Sequence, residues 1–157
     1  MIVAGTGHRP DKLGGYGTDV TFKLRSLALN WLSDNEPERV ITGMALGWDQ
    51  ALGWAAYDLG IPFTAALPFG GMEAKWPALS QQWYRDLLAK ADEAIEVCPP
   101  GYAPWKMQKR NEYMVDNCDL VLALWNGTSG GTANCIAYAG QQEKEIVNLW
   151  EKYNEHQ

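Results

Sequence analysis

Three times in this chain a short apolar run breaks into glycines and hydroxyl residues and then opens a helical pattern, and this repeated grammar restricts the fold more than any other feature. The central case is Arg39-Val40-Ile41-Thr42, followed by Gly43-Met44-Ala45-Leu46-Gly47 and then Trp48-Asp49-Gln50. The β-branched residues suit a buried strand, Gly43 ends it, Gly47 permits a tight turn, and an amphipathic helix follows. The same order recurs where Ile2-Val3 runs into Gly5-Thr6-Gly7-His8-Arg9-Pro10. It recurs again where 120–125 runs into Asn126-Gly127-Thr128-Ser129-Gly130-Gly131-Thr132. Loops of this kind present free backbone N–H groups to an anion. Three of them imply a ligand crevice outside the carboxyl ends of a parallel sheet.

The rest of the chain fits that frame. Strands are expected at 1–4, Arg39–Thr42, 61–67, 94–98, 119–125 and 145–150, the first stopped by the glycines and Pro10. Between them lie helical patterns. The first is capped by Thr18 or Asp19 and ends before Pro37; the second runs from Gly47 to Gly60; others cover 79–91, 105–117 behind Pro104, and 132–141. Alternation at this spacing argues for right-handed βαβ units, hence an α/β chain with a mainly parallel sheet covered on both faces. At 157 residues, 46% hydrophobic and 20% charged, it is sized for one domain, 1–157.

Composition narrows the partners. The net charge of −6 disfavours nonspecific nucleic-acid binding, which depends on cationic side chains displacing counterions. No signal-peptide pattern opens the chain and no apolar run reaches a membrane span, so the expectation is a cytoplasmic protein without membrane contact. Cys98, Cys118 and Cys135 are widely spaced with no histidine pair nearby, so they read as small buried residues rather than as metal ligands or disulfides. No metal or cofactor is expected.

Gly5-Thr6-Gly7 does not complete the dinucleotide fingerprint, because Pro10 stands where its last glycine belongs. Arg9 could hold a phosphate through paired N–H donors, beside His8. Gly43 and Gly47 would let the backbone, with Met44 and Ala45, approach a ligand. Asp49 in the first helical turn has an ordinary explanation in the helix dipole. It also suits a ribose hydroxyl or, if there is chemistry, a cationic sugar centre. Gln108, Arg110 and Asn111 lie close together on a helix that follows the fourth strand. Gly127, Thr128, Gly130, Gly131 and Thr132 form a second phosphate cradle. Of eight tryptophans, Trp31, Trp54, Trp83 and Trp150 fall at core spacings, while Trp48, Trp76, Trp105 and Trp125 flank loops where an indole could stack on a base.

Taken together, Thr6-Gly7-His8-Arg9-Pro10, the loop from Thr42 to Asp49, Arg110-Asn111 and Gly130-Gly131-Thr132 resemble the SLOG superfamily. That group includes DprA, the LOG phosphoribohydrolases and the small YpsA-like proteins, and this chain is most similar to the last. The resemblance implies a single-domain Rossmann-like three-layer sandwich with strand order 3-2-1-4-5, the last strand at one edge, binding nucleotides or their derivatives at these loops. LOG hydrolases carry Pro-Gly-Gly-x-Gly-Thr-x-x-Glu and a Met-x-x-Arg-Lys motif. Met107-Gln108-Lys109-Arg110-Asn111 resembles the second, which carries over Arg110. Aligning Gly131-Thr132 on the first puts Cys135 where the glutamate belongs.

Two readings follow. In the favoured one the protein binds a nucleotide or nucleotide-derived small molecule and senses, sequesters or relays it. In the alternative it cleaves an N-glycosidic bond using Asp49 and Arg110 as catalytic residues. A cysteine supplies no carboxylate, and no second acidic residue is assigned to the crevice, which favours binding. A homodimer is left open.

Overall fold

The computed structural model describes residues 1–155. Six strands, β1 (Ile2–Gly7), β2 (Arg39–Thr42), β3 (Phe63–Leu67), β4 (Glu93–Glu96), β5 (Leu120–Leu124) and β6 (Glu145–Asn148), form one sheet in the order β4-β3-β2-β1-β5-β6. Every pairing is parallel. Helices α1 (Thr18–Asn35), α2 (Trp48–Asp58), α3 (Ala78–Leu88), α4 (Pro104–Asp116), α5 (Gly131–Gln141) and α6 (Trp150–Glu155) lie between or after the strands, and a single 3-10 turn spans Pro10–Lys12.

Side-chain alternation along the strands divides the core into two layers. Val3, Val40, Ala65, Leu120, Leu122 and Leu124 face one way, packing with residues of α1, α2, α3 and α6. Ala4, Ile41, Ala66 and Val121 face the other way, against Met114 and Val115 of α4 and Cys135 and Ala139 of α5. The expected three-layer Rossmann-like architecture is therefore present, with a wholly parallel sheet.

The expected strand order needs correction. It put the fourth strand beside the first, but β5 occupies that place and β4 lies at the far edge beyond β3. Burial explains why. All five residues of β5 are buried, as a central strand requires, whereas Glu93, Ala94 and Glu96 of β4 are exposed. An interior β4 would bury two unpaired carboxylates. The polar β6 holds the opposite edge, as expected.

Smaller differences have local causes. Gly17, not Thr18 or Asp19, is the N-cap of α1, and the tail expected after the last strand is helical from Trp150. Trp83, expected inward, is 40% exposed. The first strand runs on through Gly7 rather than ending at Ala4. Its glycines are there because α2 crosses so closely. A Cβ on Gly7 would stand 2.4 Å from Trp48 Cδ1, and one on Gly5 2.4 Å from Leu52 Cδ2.

Gly7→Ala should therefore overpack this crossing and destabilise the fold by about 1–3 kcal/mol. Gly140→Ala, in a helix with open space at the missing Cβ, should instead stabilise by about 0.5–1 kcal/mol. Urea denaturation of both variants checks the contrast; equal effects would remove this account of the β1 glycines.

Candidate functional site

At the carboxyl ends of β1 and β2 and the N-terminus of α5 lies a cavity of about 410 Å³. Of the residues singled out from sequence, Thr6, Gly7, His8, Arg9, Ala45, Asp49, Arg110, Asn111, Gly131 and Thr132 line it. Its floor is a pair of buried opposite charges, Asp49 from α2 and Arg110 from α4, each 5% exposed.

Arg110 reaches back across the sheet end. Its Nη1 donates to Gly43 O at 2.6 Å and Ala66 O at 3.4 Å, and its Nε to Asn111 Oδ1 at 3.1 Å. Gly43 makes this possible, since a Cβ there would stand 2.4 Å from Nη1. Burial lowers the Arg110 pKa, an effect opposed by the Asp49 charge, and the guanidinium stays protonated.

Asp49 is held less completely. Its Oδ2 accepts from the Ala45 N–H at 3.3 Å, while Oδ1 is buried without a hydrogen-bond partner. Burial raises its pKa to about 6 against the opposing pull of Arg110, the Ala45 N–H and Arg9. Around it the loop is fastened. Thr42 Oγ1 donates to Asp49 O at 2.7 Å and accepts from the Met44 N–H at 3.3 Å, and Gln50 Nε2 donates to Met44 O at 3.1 Å. These bonds hold Met44 at φ 65°, the left-handed region that costs a non-glycine residue about 1–3 kcal/mol.

Arg9 is exposed on the rim, and its side chain makes no hydrogen bond or ion pair with the described residues. Opposite it, the N–H groups of Gly131, Thr132 and Ala133 precede the first intrahelical bond of α5, from Asn134 to Gly130. His8 is already engaged: Nε2 lies 2.8 Å from Asn126 Oδ1 and 3.0 Å from Asn126 N, and the ring packs edge-on to Trp150 at 5.9 Å. Burial lowers its pKa, so the imidazole is neutral at pH 7. Cys135 is 1% exposed beside Thr6, and burial pushes its thiol up to about 11. The position aligned with a hydrolase glutamate is thus a neutral thiol within electrostatic reach of Asp49 and Arg110. Cys118 is buried too, Cys98 half-buried, and all three are free.

Ten sequence candidates do not line the cavity. Gly5 faces Leu52, Gly43 faces Arg110, and Gly47, at φ 94°, faces the His8 carbonyl. Met44 and Trp48 are 0% exposed. Trp48 is the core side chain of the α2 crossing, its Nε1 donating to Leu122 O at 3.3 Å, and has no face for a base. Gln108 Oε1 lies 3.5 Å from Asn111 Nδ2. Trp125, Gly127 and Thr128 belong to a loop closed on itself, with Trp125 Nε1 donating to Thr128 O at 2.8 Å. Gly130 is the N-cap of α5.

Conversely, Asp11, Lys12, Tyr102 and Met107 line the cavity without having been singled out. Asp11 is a second carboxylate at the crevice, which corrects the expectation that none is present. A signal for Tyr102 was available, because Pro99-Pro100-Gly101 repeats the strand-loop-helix grammar at the end of β4.

A model described as the YspA SLOG family matches residues 3–151. A Bacillus subtilis protein described as an uncharacterized SPbeta prophage-derived protein, YoqJ, is 36% identical over 133 residues, 74% of this chain and 78% of that one. Among solved structures, DNA processing protein A from Streptococcus pneumoniae is similar at TM-score 0.68 and 18% identity, covering 93% of this chain and 49% of that one. The molybdenum cofactor carrier protein from Chlamydomonas reinhardtii is similar at TM-score 0.62 and 14% identity, covering 99% and 80%. At these identities the structures speak for the fold.

The orphaned carboxylate has a pH signature. A carboxyl whose pKa rises on folding holds its proton more tightly in the folded state. The stability it contributes is present at low pH and lost as pH climbs from 3.8 through about 6. The stability of the unliganded protein relative to Asp49→Asn should therefore fall by roughly 2–3 kcal/mol between about pH 4 and pH 7. Chemical denaturation at several pH values measures it, and a difference flat with pH would contradict the assigned burial.

Proposed function

This chain belongs to the YspA SLOG family, and from that premise and the geometry of the cavity we propose that it binds a nucleotide or nucleotide-derived molecule and holds it intact. The observation that carries the reading is Asp49 Oδ1, a buried acceptor without a donor at the floor of the cavity. A buried polar atom left unpaired costs about 1–3 kcal/mol, which a ligand hydroxyl would recover. Ribose supplies such a donor. A phosphate cannot take that place, since Asp49 would repel it; it fits the free N–H groups of α5 and the Arg9 guanidinium instead.

Several features favour retention over turnover. Cys135 is neutral and cannot act as the carboxylate that its aligned position has in LOG hydrolases. His8 is neutral and committed to Asn126. The neighbour described as a cofactor carrier offers a parallel for carriage without chemistry. Binding of nucleic acid, which the DNA processing neighbour raises, is a weaker fit to a chain of net charge −6.

A second reading has one observation in its favour, the two carboxylates Asp11 and Asp49 on one cavity. N-glycoside cleavage divides acid and stabilising roles between such groups. Recovery of ligand from incubation with a nucleotide panel separates the two: intact ligand supports carriage, while sustained release of free base, abolished by Asp49→Asn, supports a hydrolase.

For carriage, calorimetry should find a nucleotide bound more tightly than its nucleoside, and Arg9→Met should weaken the nucleotide about tenfold. Asp49→Asn should cost about 0.5–3 kcal/mol of affinity. A donated hydroxyl favours the ionised carboxylate, so wild-type affinity should rise with pH through about 6 more steeply than that of Asp49→Asn. Equal affinities for nucleotide and nucleoside would argue against the phosphate contacts.

A further inference from the structure

The cavity above Asp49 continues past Arg9. A second compartment of about 510 Å³ shares Arg9, Tyr102 and Met107 with it and extends along the loops that follow β3 and β4. Its character is different. Phe69, Met72, Trp76 and Tyr102 supply apolar and aromatic walls, the charged side chains lining it among the described residues are Arg9 and Lys75, and the Glu96 carboxylate lies behind Gly70. Each compartment falls within the roughly 300–1,000 Å³ typical of small-molecule sites.

The aromatic walls are held in place. Lys106, 8% exposed, donates to Pro99 O at 2.8 Å, Pro100 O at 3.2 Å and Gly101 O at 2.7 Å, fixing the turn that presents Tyr102. The Phe69 ring meets Tyr102 edge-on at 6.3 Å, with the Lys106 ammonium 5.7 Å from its centroid. Trp76 packs edge-on against the buried Tyr84 at 5.4 Å. Its carbonyl and that of Ala74 both accept from Gln81 Nε2, at 2.9 and 3.1 Å. Tyr102 itself is 73% exposed at the junction of the two compartments, an aromatic surface open to a ligand.

We propose that this second compartment takes the flat heterocyclic base of the nucleotide whose sugar and phosphate occupy the first, with Tyr102 and Phe69 as the stacking surface and Trp76 as a wall. The inference rests on the nucleotide reading above and sharpens it. The base is read by aromatic residues that follow β3 and β4, at the opposite end of the crevice from Trp125. Stacking of a base on an aromatic side chain is worth about tenfold or more in affinity and tolerates different bases.

The test uses the full chain with AMP, GMP, CMP, UMP and ribose 5-phosphate as probes, followed by calorimetry and tryptophan fluorescence. At least one nucleotide should bind about tenfold more tightly than ribose 5-phosphate. Tyr102→Ala should remove that preference, weakening the nucleotide about tenfold more than ribose 5-phosphate. The nucleotide, but not ribose 5-phosphate, should quench tryptophan emission, and Trp76→Phe should abolish most of the quench. If ribose 5-phosphate binds as tightly as every nucleotide, or if Tyr102→Ala keeps the preference, the base does not sit here, while the sugar-phosphate site stands. If none of the five probes binds, the nucleotide reading and this inference both fall.

Discussion

A guanidinium that is 5% exposed cannot sit at the end of a parallel sheet without compensation, and Arg110 organises its surroundings accordingly. Two of its acceptors are carbonyls at the ends of β2 and β3, and its third is the neighbouring Asn111. Helix α4 belongs in chain order to β4 at the edge of the sheet, but this arginine carries its influence to the centre. The glycine at position 43 is the space the guanidinium occupies. Arg110 and Asp49 are not bonded to each other but share one buried region, where each charge favours the ionised form of the other. Together they form the charged floor of the cavity.

Around that unit the polar groups are used almost completely. Thr42, Gln50 and the Ala45 N–H each bind within the loop from β2 to α2, and the left-handed Met44 is kept there by them. Lys106 does the same for the turn after β4, its ammonium saturated by three carbonyls. Against this background Asp49 Oδ1 stands out as the buried side-chain oxygen left without a partner among the described residues. The groups around that oxygen being already paired, it is where a further hydrogen bond would be gained.

The grammar of apolar run, glycine loop and helix was legible because it is local: each piece depends on residues within a dozen positions. It located the six strands, and of the residues it singled out the structure brings Thr6, Arg9, Asp49, Arg110 and Thr132 together around one cavity. Strand order was not legible in that way, since it depends on which strands tolerate burial on both faces, and the acidic ends of β4 outweighed the expected order. Glycine was ambiguous for a physical reason. A missing Cβ signals that something approaches closely, but not what: at Gly5 and Gly7 it is the hydrophobic side of α2, and at Gly43 it is Arg110. Trp48 was misassigned with them, as the residue doing the approaching. Tyr102 and Met107 were missed because contacts between the turn after β4, helix α4 and the tip of β1 cross more than ninety residues of sequence.

The pKa of Asp49 bears directly on chemistry. At about 6 the carboxyl is mostly ionised at neutral pH, and a hydroxyl donating to Oδ1 would drive it further in that direction. An ionised carboxylate near the Arg110 charge is a better hydrogen-bond acceptor than proton donor. Protonation of the leaving group would therefore fall to another residue. Cys135 keeps its proton too firmly, with a thiol near 11, and His8 is neutral and bound to Asn126. That leaves Asp11, exposed to water beside Lys12 on the cavity rim. Of the two carboxylates on the cavity, then, Asp49 is the buried one, whose hydrogen-bonding capacity the protein leaves partly unused, and Asp11 is the one at the exposed rim.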